Sequence, residues 1–338
     1  MRAWQVTGSF GLEHLESVEL EREPVGDHEV RIAVKAASLN FRDYLMVQGL
    51  YNPKQPLPLV PCSDGAGEVI EIGAKVTRVA VGDRVVGLFA QKWLSGRARI
   101  EKIRNTLGGP LPGMLREEAV LSEDGVAKFP AHYSYEEAST LPCAALTAWS
   151  ALQQSELQSG ETVLIQGTGG VALFAAQLAK LRGARVIITS KDDAKIARAR
   201  TEVGIDEGIN YKTTPAWSAP VRALTDKQGA DVVIEVGGGG TMPESVRAVR
   251  AGGTIALIGV LAGVSTQVLL TPVLMQNVRI QGVLVGHRDA FEAMVVALSS
   301  STIRPLIDRV YEFGHAREAL EALPNGAHFG KLVVQVAS

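Results

Sequence analysis

The sequence has few of the residues on which several classes of protein depend. Only 2 of its 338 residues are cysteines, Cys62 and Cys143, too few for a disulfide framework or a four-ligand structural zinc site. The 34 lysines and arginines do not exceed the 36 aspartates and glutamates, so no basic excess indicates nucleic acid or an anionic membrane as a partner. No apolar run reaches the roughly 20 residues of a membrane span. We therefore expect a soluble, reduced protein of the cytoplasm.

The sequence does contain enough apolar residues for a large core. It is 46% hydrophobic and 21% charged, a composition typical of folded rather than disordered chains. At about 100–200 residues per domain, its length predicts two domains. Glycine is abundant, with 35 residues that fall in clusters.

The first third of the chain predicts a β-rich domain. Residues 30–36 alternate apolar and polar side chains with a period of two, as a half-buried strand does. Residues 68–73 and 83–87 predict further short strands, and glycine and proline separate them. Many short strands joined by turns favour a barrel-like or Greek-key arrangement.

The pattern then changes to alternating helices and apolar strands. Ser134 and Glu137 form a capping-box pattern ahead of an apolar helical run. Near-continuous apolar strands separated by helices are typical of a doubly wound parallel sheet covered on both faces, so the predicted fold class is α/β. The predicted strands are 162–166, 184–189, 209–211, 231–236, 254–260 and 278–285.

The tail of the chain leaves this pattern, with helices at 288–300 and 316–323 and a strand at 331–336. Periodicity alone allows the tail either to complete the first domain or to extend the second, and we favour the first. The predicted domains are accordingly 1–130 with 287–338, and 131–286.

A glycine loop between a strand and a helix is the most informative segment. Residues 167–172 fit the pattern G-x-G-x-x-A, in which the glycines allow a tight turn and close approach of backbone to a pyrophosphate. The N-terminus of the following helix supplies unpaired N–H groups for phosphates. An ordinary strand-to-helix turn is the alternative. The candidate cofactor-binding residues of this loop are Gly167, Thr168, Gly169, Gly170 and Val171.

The end of the next strand indicates which dinucleotide binds. A site that prefers NAD places an acidic residue there for the ribose 2′-hydroxyl, but this chain has Ser190 and Lys191 after Thr189. Lys191 would neutralise a 2′-phosphate, and Tyr211 at the tip of the next strand would add a hydroxyl. Asp192 and Asp193 look like first-turn residues of a helix. We therefore favour NADP(H), the alternative being that Lys191 is only a surface charge.

Two further strand ends lie on the same predicted edge, where ligands bind in sheets of this kind. A run of four glycines, 237–240, follows Val236 and allows close backbone approach to a ligand or, alternatively, forms a structural turn. Gly259 and Val260 end the next strand, and we include them with Val236 among the candidate cofactor-binding residues.

Five segments of the chain are distinctive in combination: Asn40-Phe41-Arg42-Asp43, Pro61-Cys62-Ser63-Asp64-Gly65-Ala66-Gly67-Glu68-Val69, Val81-Gly82-Asp83-Arg84-Val85, Pro142-Cys143-Ala144-Ala145-Leu146-Thr147-Ala148-Trp149 and the loop 167–172. In these segments the chain resembles the medium-chain dehydrogenase/reductase superfamily on its zinc-independent, quinone-reductase-like side. The resemblance covers nearly the whole chain and implies a GroES-like catalytic domain, a Rossmann domain and hydride transfer with a nicotinamide cofactor.

The resemblance also bears on zinc. Zinc-dependent members place a cysteine where Asn40 stands, a histidine where Ser63 stands and a further ligand where Cys143 stands. Only Cys143 is retained, and one thiolate does not hold a catalytic zinc that needs three protein ligands. Gln91 to Glu118 contains no cysteine, so the cysteine-rich lobe is missing too. We expect no metal site.

The resemblance assigns further roles in part. Asn40 would bond the nicotinamide ribose or the substrate oxygen, and Asp43 would orient that loop. Thr147, Val260, Val283, Val285 and Lys331 are the remaining implied cofactor contacts. Where many quinone reductases carry proline, tyrosine and arginine near this loop, the chain has Phe41, Leu45 and Val47.

That departure leaves the proton donor open. Arg42 and Tyr44 are the nearby candidates for polarising a carbonyl, the alternative being packing or a surface ion pair. Phe89 and Trp93 form either an aromatic wall for the substrate or a simple loop anchor.

The sequence therefore predicts an NADPH-dependent oxidoreductase that passes a hydride to a small conjugated carbonyl or quinone without zinc. A zinc-free alcohol dehydrogenase or aldehyde reductase is the first alternative, and a cofactor-binding redox sensor with little turnover the second. The apolar strand at 278–285 ends the sheet, and proteins normally cover such an edge. We expect a homodimer and a small-molecule substrate.

Overall fold

The structure is a computed structural model that describes residues 1–337. Its strands, in chain order, are β1 (Arg2–Val6), β2 (Leu15–Glu19), β3 (Glu29–Leu39), β4 (Asp64–Ile72), β5 (Arg84–Gly87), β6 (Glu118–Ser122), β7 (Val126–Lys128), β8 (Thr162–Gln166), β9 (Arg185–Ser190), β10 (Glu207–Asn210), β11 (Ala230–Glu235), β12 (Val249–Leu257), β13 (Arg279–Gly282), β14 (Ile307–Glu312) and β15 (Lys331–Gln335).

The helices lie between these strands. In chain order they are α1 (Phe41–Val47), α2 (Ile100–Ile103), α3 (Tyr135–Ser139), α4 (Leu146–Gln154), α5 (Gly170–Leu181), α6 (Asp193–Val203), α7 (Ser218–Leu224), α8 (Met242–Ala248), α9 (Leu270–Met275), α10 (Arg288–Ser299) and α11 (Ala316–Ala322). Over the part of the chain that the structure describes, no helix has the length and apolar character needed to cross a membrane.

The chain forms two compact units. The first consists of Met1–Leu146 together with the chain from Val285 onward, and the second consists of Thr147–Leu284. The borders derived from the sequence, at residues 130 and 286, differ from these, chiefly because α3 and the turn after it pack with the first unit.

The first unit is built on a mainly antiparallel sheet with the strand order β14-β15-β3-β4-β5-β7, and β6 also pairs with β3. Strand β3 carries the predicted alternation, with Val30, Ile32 and Val34 buried in one core. Strand β15 pairs antiparallel with β3, placing Leu332 opposite Leu39. The C-terminal strand therefore completes the sheet of the first unit.

The second unit holds a six-stranded sheet in the order β10-β9-β8-β11-β12-β13, in which each neighbouring pair is parallel. Fully buried aliphatic residues fill its central strands, as the sequence predicts for a sheet covered on both faces. The chain order reverses between β8 and β11. Ligands bind outside the carboxyl ends of strands at such a switch point.

The capping box at Ser134 and Glu137 is confirmed, because each residue's side chain accepts a hydrogen bond from the other's backbone N–H. The apolar run that follows the capping box is divided between two helices. Helix α3 ends at Ser139, a π-helical turn spans Leu141–Ala145, and α4 then begins. Pro142 lies in the first positions of that turn, where its missing N–H interrupts the regular hydrogen bonds.

Candidate functional site

The glycine loop after β8 leads directly into α5, as predicted. Gly167 has a φ of 79°, a left-handed conformation that favours glycine, and its N–H donates to Thr189 O at 2.7 Å. A Cβ atom added to Gly167 or Gly169 would meet no atom within 4 Å. The space in front of the loop is therefore open.

Backbone N–H groups at the start of α5 have no intrahelical acceptor, and the helix dipole gives this end a partial positive charge. Thr168, Gly170 and Val171 lie within this turn, Thr168 buried and the other two half-buried. Open space in front of unpaired donors fits a phosphate group. The residues present therefore fit the pyrophosphate of a dinucleotide.

The carboxylates after β9 are engaged within the protein. Asp192 caps α6, where its Oδ1 accepts from Ala194 N at 2.8 Å, and Asp193 accepts from Asn210 Nδ2 at 3.0 Å. Both belong to the first turn of the helix, as the sequence predicts. Ser190 is buried and its Oγ accepts from Asp192 N, whereas Lys191 is exposed. At the tip of β9 the Lys191 ammonium group is therefore exposed, whereas the carboxylates of Asp192 and Asp193 already accept hydrogen bonds within the protein.

Tyr211 lies beside this tip. Its backbone N–H donates to Ser190 O at 3.0 Å, and its side chain is 38% exposed. Partial burial raises the pKa of the phenol. Its hydroxyl group is thus kept as a neutral hydrogen-bond donor.

Glu235 lies at the end of β11 and anchors the next loop. It was not among the functional residues predicted from the sequence. Its side chain is fully buried, and its Oε1 accepts from Gly237 N and Gly238 N at 2.8 Å each and from Thr241 Oγ1 at 2.5 Å. Its Oε2 accepts from Gln166 Nε2 at 2.7 Å and from Ser245 Oγ. A single acidic residue ending an apolar strand was the available signal.

These contacts favour the structural alternative for the glycine run. Gly238 has a φ of 74°, and a Cβ on it would lie 2.7 Å from Val260 Cα. Gly239 N donates to Gly263 O at 2.7 Å, and Gly259 N donates to the backbone oxygen of Glu235 at 3.2 Å. The loops after β11 and β12 are thus bonded together through their backbones.

The remaining cofactor candidates of the second unit occupy mixed environments. Thr147 in α4 is buried, and Val236 is half-buried with its N–H donating to Gln166 Oε1 at 3.3 Å. Val283 is buried, whereas Val260 is 46% exposed. In the first unit, Val285 is buried and has a φ of 42°, which is not a strand conformation. The last strand of the sheet, predicted over 278–285, is shorter and ends at Gly282.

A cluster in the first unit brings together Asn40, Ser63, Asp64, Cys143 and Lys331, of which Ser63, Asp64 and Lys331 are buried. The Lys331 ammonium group donates to Asn40 Oδ1 at 2.6 Å and to Leu39 O at 2.6 Å. The Asn40 Nδ2 atom lies 3.4 Å from Ser63 Oγ. Ser63 Oγ donates to Asp64 Oδ1 at 2.8 Å, and Cys143 N donates to Asp64 Oδ2 at 3.2 Å. We call these five residues the Asn40 cluster.

Asp43 supports this cluster from α1. Its Oδ2 accepts from Asn40 N at 2.8 Å and its Oδ1 from Ser63 N at 3.2 Å, so it orients the loop as the resemblance implies. Burial raises the pKa of Asp43 to about 6, and the nearby Arg42 charge opposes the shift.

Burial also dominates the titration of the cluster. It raises the pKa of Asp64, against the opposing effect of the Lys331 charge. Burial and the Asp64 carboxylate raise the pKa of the Cys143 thiol. The thiolate, which is the form that binds metals and attacks electrophiles, is therefore disfavoured.

The two candidate carbonyl donors have other contacts. Arg42 donates from its Nη atoms to Leu107 O at 2.9 Å and Gly109 O at 2.6 Å, and its guanidinium stacks on the Phe89 and Tyr51 rings. Tyr44 packs against the core of the first unit. These contacts support an anchoring role for Arg42.

The two candidate aromatic residues are buried in the first unit. Phe89 is 3% exposed beneath Arg42, and Trp93 is 6% exposed with its Nε1 donating to Gly96 O at 2.9 Å. The Trp93 ring also meets His287 edge-on. Both sets of contacts favour the loop-anchor alternative.

Comparison with known proteins places this geometry in a family. One family model, the alcohol dehydrogenase GroES-like domain, matches residues 26–131, and another, the zinc-binding dehydrogenase, matches residues 170–301. A zinc-type alcohol dehydrogenase-like protein of Schizosaccharomyces pombe is 38% identical over 96% of both chains.

Solved structures agree. An NAD-dependent alcohol dehydrogenase superposes with a TM-score of 0.91 at 33% identity, covering 100% of both chains. The quinone oxidoreductase of Coxiella burnetii superposes with a TM-score of 0.82 at 28% identity, covering 100% of this chain and 99% of that chain.

A GroES-like β-rich domain joined to a Rossmann-type parallel sheet with a dinucleotide loop defines a nicotinamide-dependent oxidoreductase. The chain belongs to the medium-chain dehydrogenase/reductase superfamily. The predicted family and fold class are confirmed.

Several relatives carry zinc in their names, so the fit of a zinc ion to these residues matters. Asn40 offers an amide oxygen that already accepts from the Lys331 ammonium group, and Ser63 offers a hydroxyl bound to Asp64. Within residues 1–337, the structure brings no three His, Cys, Asp or Glu side chains together as metal ligands. A zinc ion beside a buried ammonium group, with one disfavoured thiolate, does not fit this donor set.

Proposed function

We propose that the protein is a zinc-independent oxidoreductase that uses NADPH to reduce a small conjugated carbonyl compound or quinone. The observation that carries this proposal is the pairing of Asn40 with the buried Lys331 ammonium group. It leaves an amide N–H donor at the position where the family resemblance implies a cysteine in zinc-dependent members. A carbonyl that spreads negative charge through conjugation needs less help than an isolated one, and a side-chain donor suffices.

The cofactor is assigned to the second unit. Its glycine loop and the N-terminus of α5 would hold the pyrophosphate, and Ser190, Lys191 and Tyr211 would surround the 2′-phosphate of the adenosine ribose. When bound, the reduced nicotinamide supplies the hydride. The preference for NADPH rests on the exposed Lys191 and on the engagement of Asp192 and Asp193 within α6 and β10.

The first unit is assigned to the carbonyl. Asn40 Nδ2 would donate to the substrate oxygen and stabilise the negative charge that develops there during reduction. Asp43 holds the backbone of Asn40 in place through its 2.8 Å hydrogen bond. The buried state of Lys331, Asp43 and Asp64 keeps these interactions strong, because little water screens them.

An alcohol dehydrogenase or aldehyde reductase activity is the second candidate. The similarity to an NAD-dependent alcohol dehydrogenase at a TM-score of 0.91 favours it, and that relative also favours NADH as the cofactor. An unconjugated aldehyde would depend more strongly on the Asn40 donor, since it spreads less charge itself.

One assay separates these candidates. Oxidation of NADPH and of NADH is followed at 340 nm with one quinone, one enone and one simple aldehyde, with and without a chelator. The proposal expects turnover of the quinone or enone with NADPH, unaffected by the chelator. Turnover of the aldehyde alone, or loss of activity with the chelator, contradicts it.

We also propose a homodimer. Strand β13 lies at the edge of the second unit's sheet with Ile280 41% exposed, and the neighbouring α9 exposes Leu270, Leu274 and Met275 at 73–78%. Exposed edges and apolar patches of this kind are normally covered. Gel filtration at micromolar concentration is expected to give a dimer, and a strict monomer overturns the proposal.

A further inference from the structure

We infer that Lys331 is a positioning residue that fixes the orientation of the Asn40 side chain, so that Asn40 meets a ligand only as a hydrogen-bond donor. The ligand atom at Asn40 must then be an acceptor, such as a carbonyl or enolate oxygen. This inference rests on the proposed function for the identity of the ligand. It concerns two residues that lie 291 positions apart in the chain.

The Lys331 ammonium group determines which atom of the Asn40 side-chain amide faces it. A lysine Nζ atom donates hydrogen bonds and accepts none. Lys331 is 3% exposed, and its Nζ lies 2.6 Å from Leu39 O and 2.6 Å from the Asn40 side chain. Only an amide oxygen is compatible with that contact, so Asn40 must turn Oδ1 toward Lys331.

Ser63 and Asp64 determine the position of the other atom of the Asn40 amide, Nδ2. Because Ser63 Oγ donates its proton to Asp64 Oδ1, it offers only an acceptor to Asn40 Nδ2. Cys143 N donates to the second oxygen of Asp64. Every donor in the chain from Cys143 and Ser63 to Asn40 and Lys331 therefore meets an acceptor. Rotating the amide by 180° would place its N–H groups against an ammonium group and its oxygen against an acceptor.

Charge keeps the ammonium group in place. Asp43 and Asp64 are both 0% exposed, and the Lys331 charge stabilises both carboxylates. A buried lysine without such partners would lose its proton or move toward solvent. Strand β15 thus places the Lys331 cation beside two carboxylates, Asp64 of the Asn40 cluster in β4 and Asp43 in α1.

The partial exposure of Asn40 makes this orientation useful for binding. An Asn amide normally recognises either a donor or an acceptor, since it carries both. With Oδ1 occupied by Lys331, a ligand meets the amide only through Nδ2, whose N–H groups face Ser63 Oγ and the Asp64 carboxylate in this structure. The cluster therefore selects an oxygen that gains negative charge.

A double-mutant cycle tests the inference. Asn40→Ala, Lys331→Met and the double variant are compared by kcat and KM for the enone and by Kd for NADPH. If Lys331 acts through Asn40, each single variant lowers kcat on the order of tenfold or more, and Lys331→Met has little further effect when Asn40 is already alanine. If the loss of kcat in the double variant instead equals the product of the losses in the two single variants, the inference is overturned. Lys128→Met, an exposed lysine of the same unit, serves as the control.

Removal of a buried cation risks misfolding, so a second variant and a second readout are needed. Lys331→Gln keeps an amide N–H donor of similar length without the charge, and thermal melting establishes whether each variant is folded. The side-chain amide of Asn40 is followed by ¹⁵N NMR in protein labelled on asparagine, with its signal assigned by loss in Asn40→Ala. We expect this signal to shift in folded Lys331→Met and to be retained in Lys331→Gln. An unchanged signal in Lys331→Met contradicts the inference.

The two proposals fail in different ways. If wild-type protein turns over none of the carbonyl compounds, the proposed function fails, and the NMR signal still decides whether Lys331 orients Asn40. If wild-type protein reduces the enone but the cycle is multiplicative, the proposed function survives and the positioning role is wrong.

Discussion

The two units build their candidate sites from different parts of the polypeptide. The second unit uses backbone N–H groups and open space at a glycine loop, and the residues involved are close in sequence. The first unit uses buried side chains, whose hydrogen bonds join residues 79 and 291 positions apart. A backbone site is disturbed by adding a single Cβ atom, whereas a side-chain site is disturbed by removing one functional group.

Glu235 gives the strongest test of that contrast, because it is a buried side chain inside the backbone-built region. Glu235→Gln replaces an acceptor oxygen with an N–H donor facing donors from Gly237, Gly238 or Gln166. We expect the unfolding free energy to fall by about 3 kcal/mol, as each unmet buried group costs about 1–3 kcal/mol. Chemical denaturation measures this change.

The matched control is Glu202→Gln in the same unit. Glu202 is paired with Arg198 on the surface of α6, and exposed pairs contribute about 0–1 kcal/mol. Equal losses in the two variants would show that Glu235 does not organise the loop.

Gly169→Ala tests the backbone-built site itself. Gly169 has a φ of −82°, and an added Cβ would meet no atom within 4 Å, so the fold tolerates alanine there. We expect the Kd for NADPH to rise about tenfold or more, because the methyl group occupies space in front of unpaired N–H donors. Isothermal titration calorimetry gives the Kd.

Gly160→Ala is the control for this variant. Gly160 also has open space around it but a φ of 85°, so alanine there is the more strained substitution. Weakened NADPH binding in Gly160→Ala, or unchanged binding in Gly169→Ala, would contradict the proposal that NADPH binds at the glycine loop.

Titration distinguishes one carboxylate of each unit, Asp43 and Asp206, by the sign of the pKa shift. Burial raises the pKa of Asp43 from 3.8 to about 6, so the folded protein holds this proton more tightly than the unfolded chain. The contribution of Asp43 to unfolding free energy therefore falls as pH rises from 3.8 to about 6. In the second unit, partial burial is outweighed by hydrogen bonds from Val186 N–H and Lys180, which lower the pKa of Asp206. Its contribution is present above pH 3.8 and is lost as pH falls below that value.

Melting temperatures between pH 3 and pH 7 measure this difference. In wild type, Asp43 lowers the melting temperature as pH rises, and this decrease should become smaller in Asp43→Asn. Asp206 lowers the melting temperature as pH falls, and this decrease should be absent in Asp206→Asn. The same sign of change in both variants would contradict the account.

The smallest expected effect concerns Lys191. An exposed ammonium group gains only a modest free energy from a phosphate, so we expect Lys191→Ala to raise the Kd for NADPH by about fivefold and to leave the Kd for NADH unchanged. Lys212→Ala, an exposed lysine after Tyr211, is the control. An equal rise for both cofactors would contradict a role in selecting the 2′-phosphate.

The contrast between the units also explains what the sequence predicted. Strand β8, the glycine loop and α5 were predicted from patterns that lie within residues 162–181 themselves, namely an apolar strand, closely spaced glycines and an apolar helix. The capping role of Ser134 and the place of Asp192 at the start of a helix were predicted for the same reason.

Non-local contacts were not predictable in this way. Lys331 was expected at the cofactor, but its ammonium group lies on Asn40, because β15 pairs with β3 and brings residue 331 beside residue 39. Glu235 and Asp64 were missed, since a buried carboxylate is explained only by donors that come from other strands and helices. Arg42 was one of two candidate donors to the substrate, with packing or an ion pair as the alternative, and its backbone acceptors lie in a loop more than 60 residues away.

The central claim is that the second unit binds the cofactor through backbone groups while Asn40 of the first unit acts on the carbonyl. The most direct test measures the Kd for NADPH and the kcat for an enone in Gly169→Ala and Asn40→Ala. The account predicts that Gly169→Ala raises the Kd, and that Asn40→Ala lowers kcat while leaving the Kd within about twofold of wild type. Weakened NADPH binding in Asn40→Ala with an unchanged kcat would contradict it.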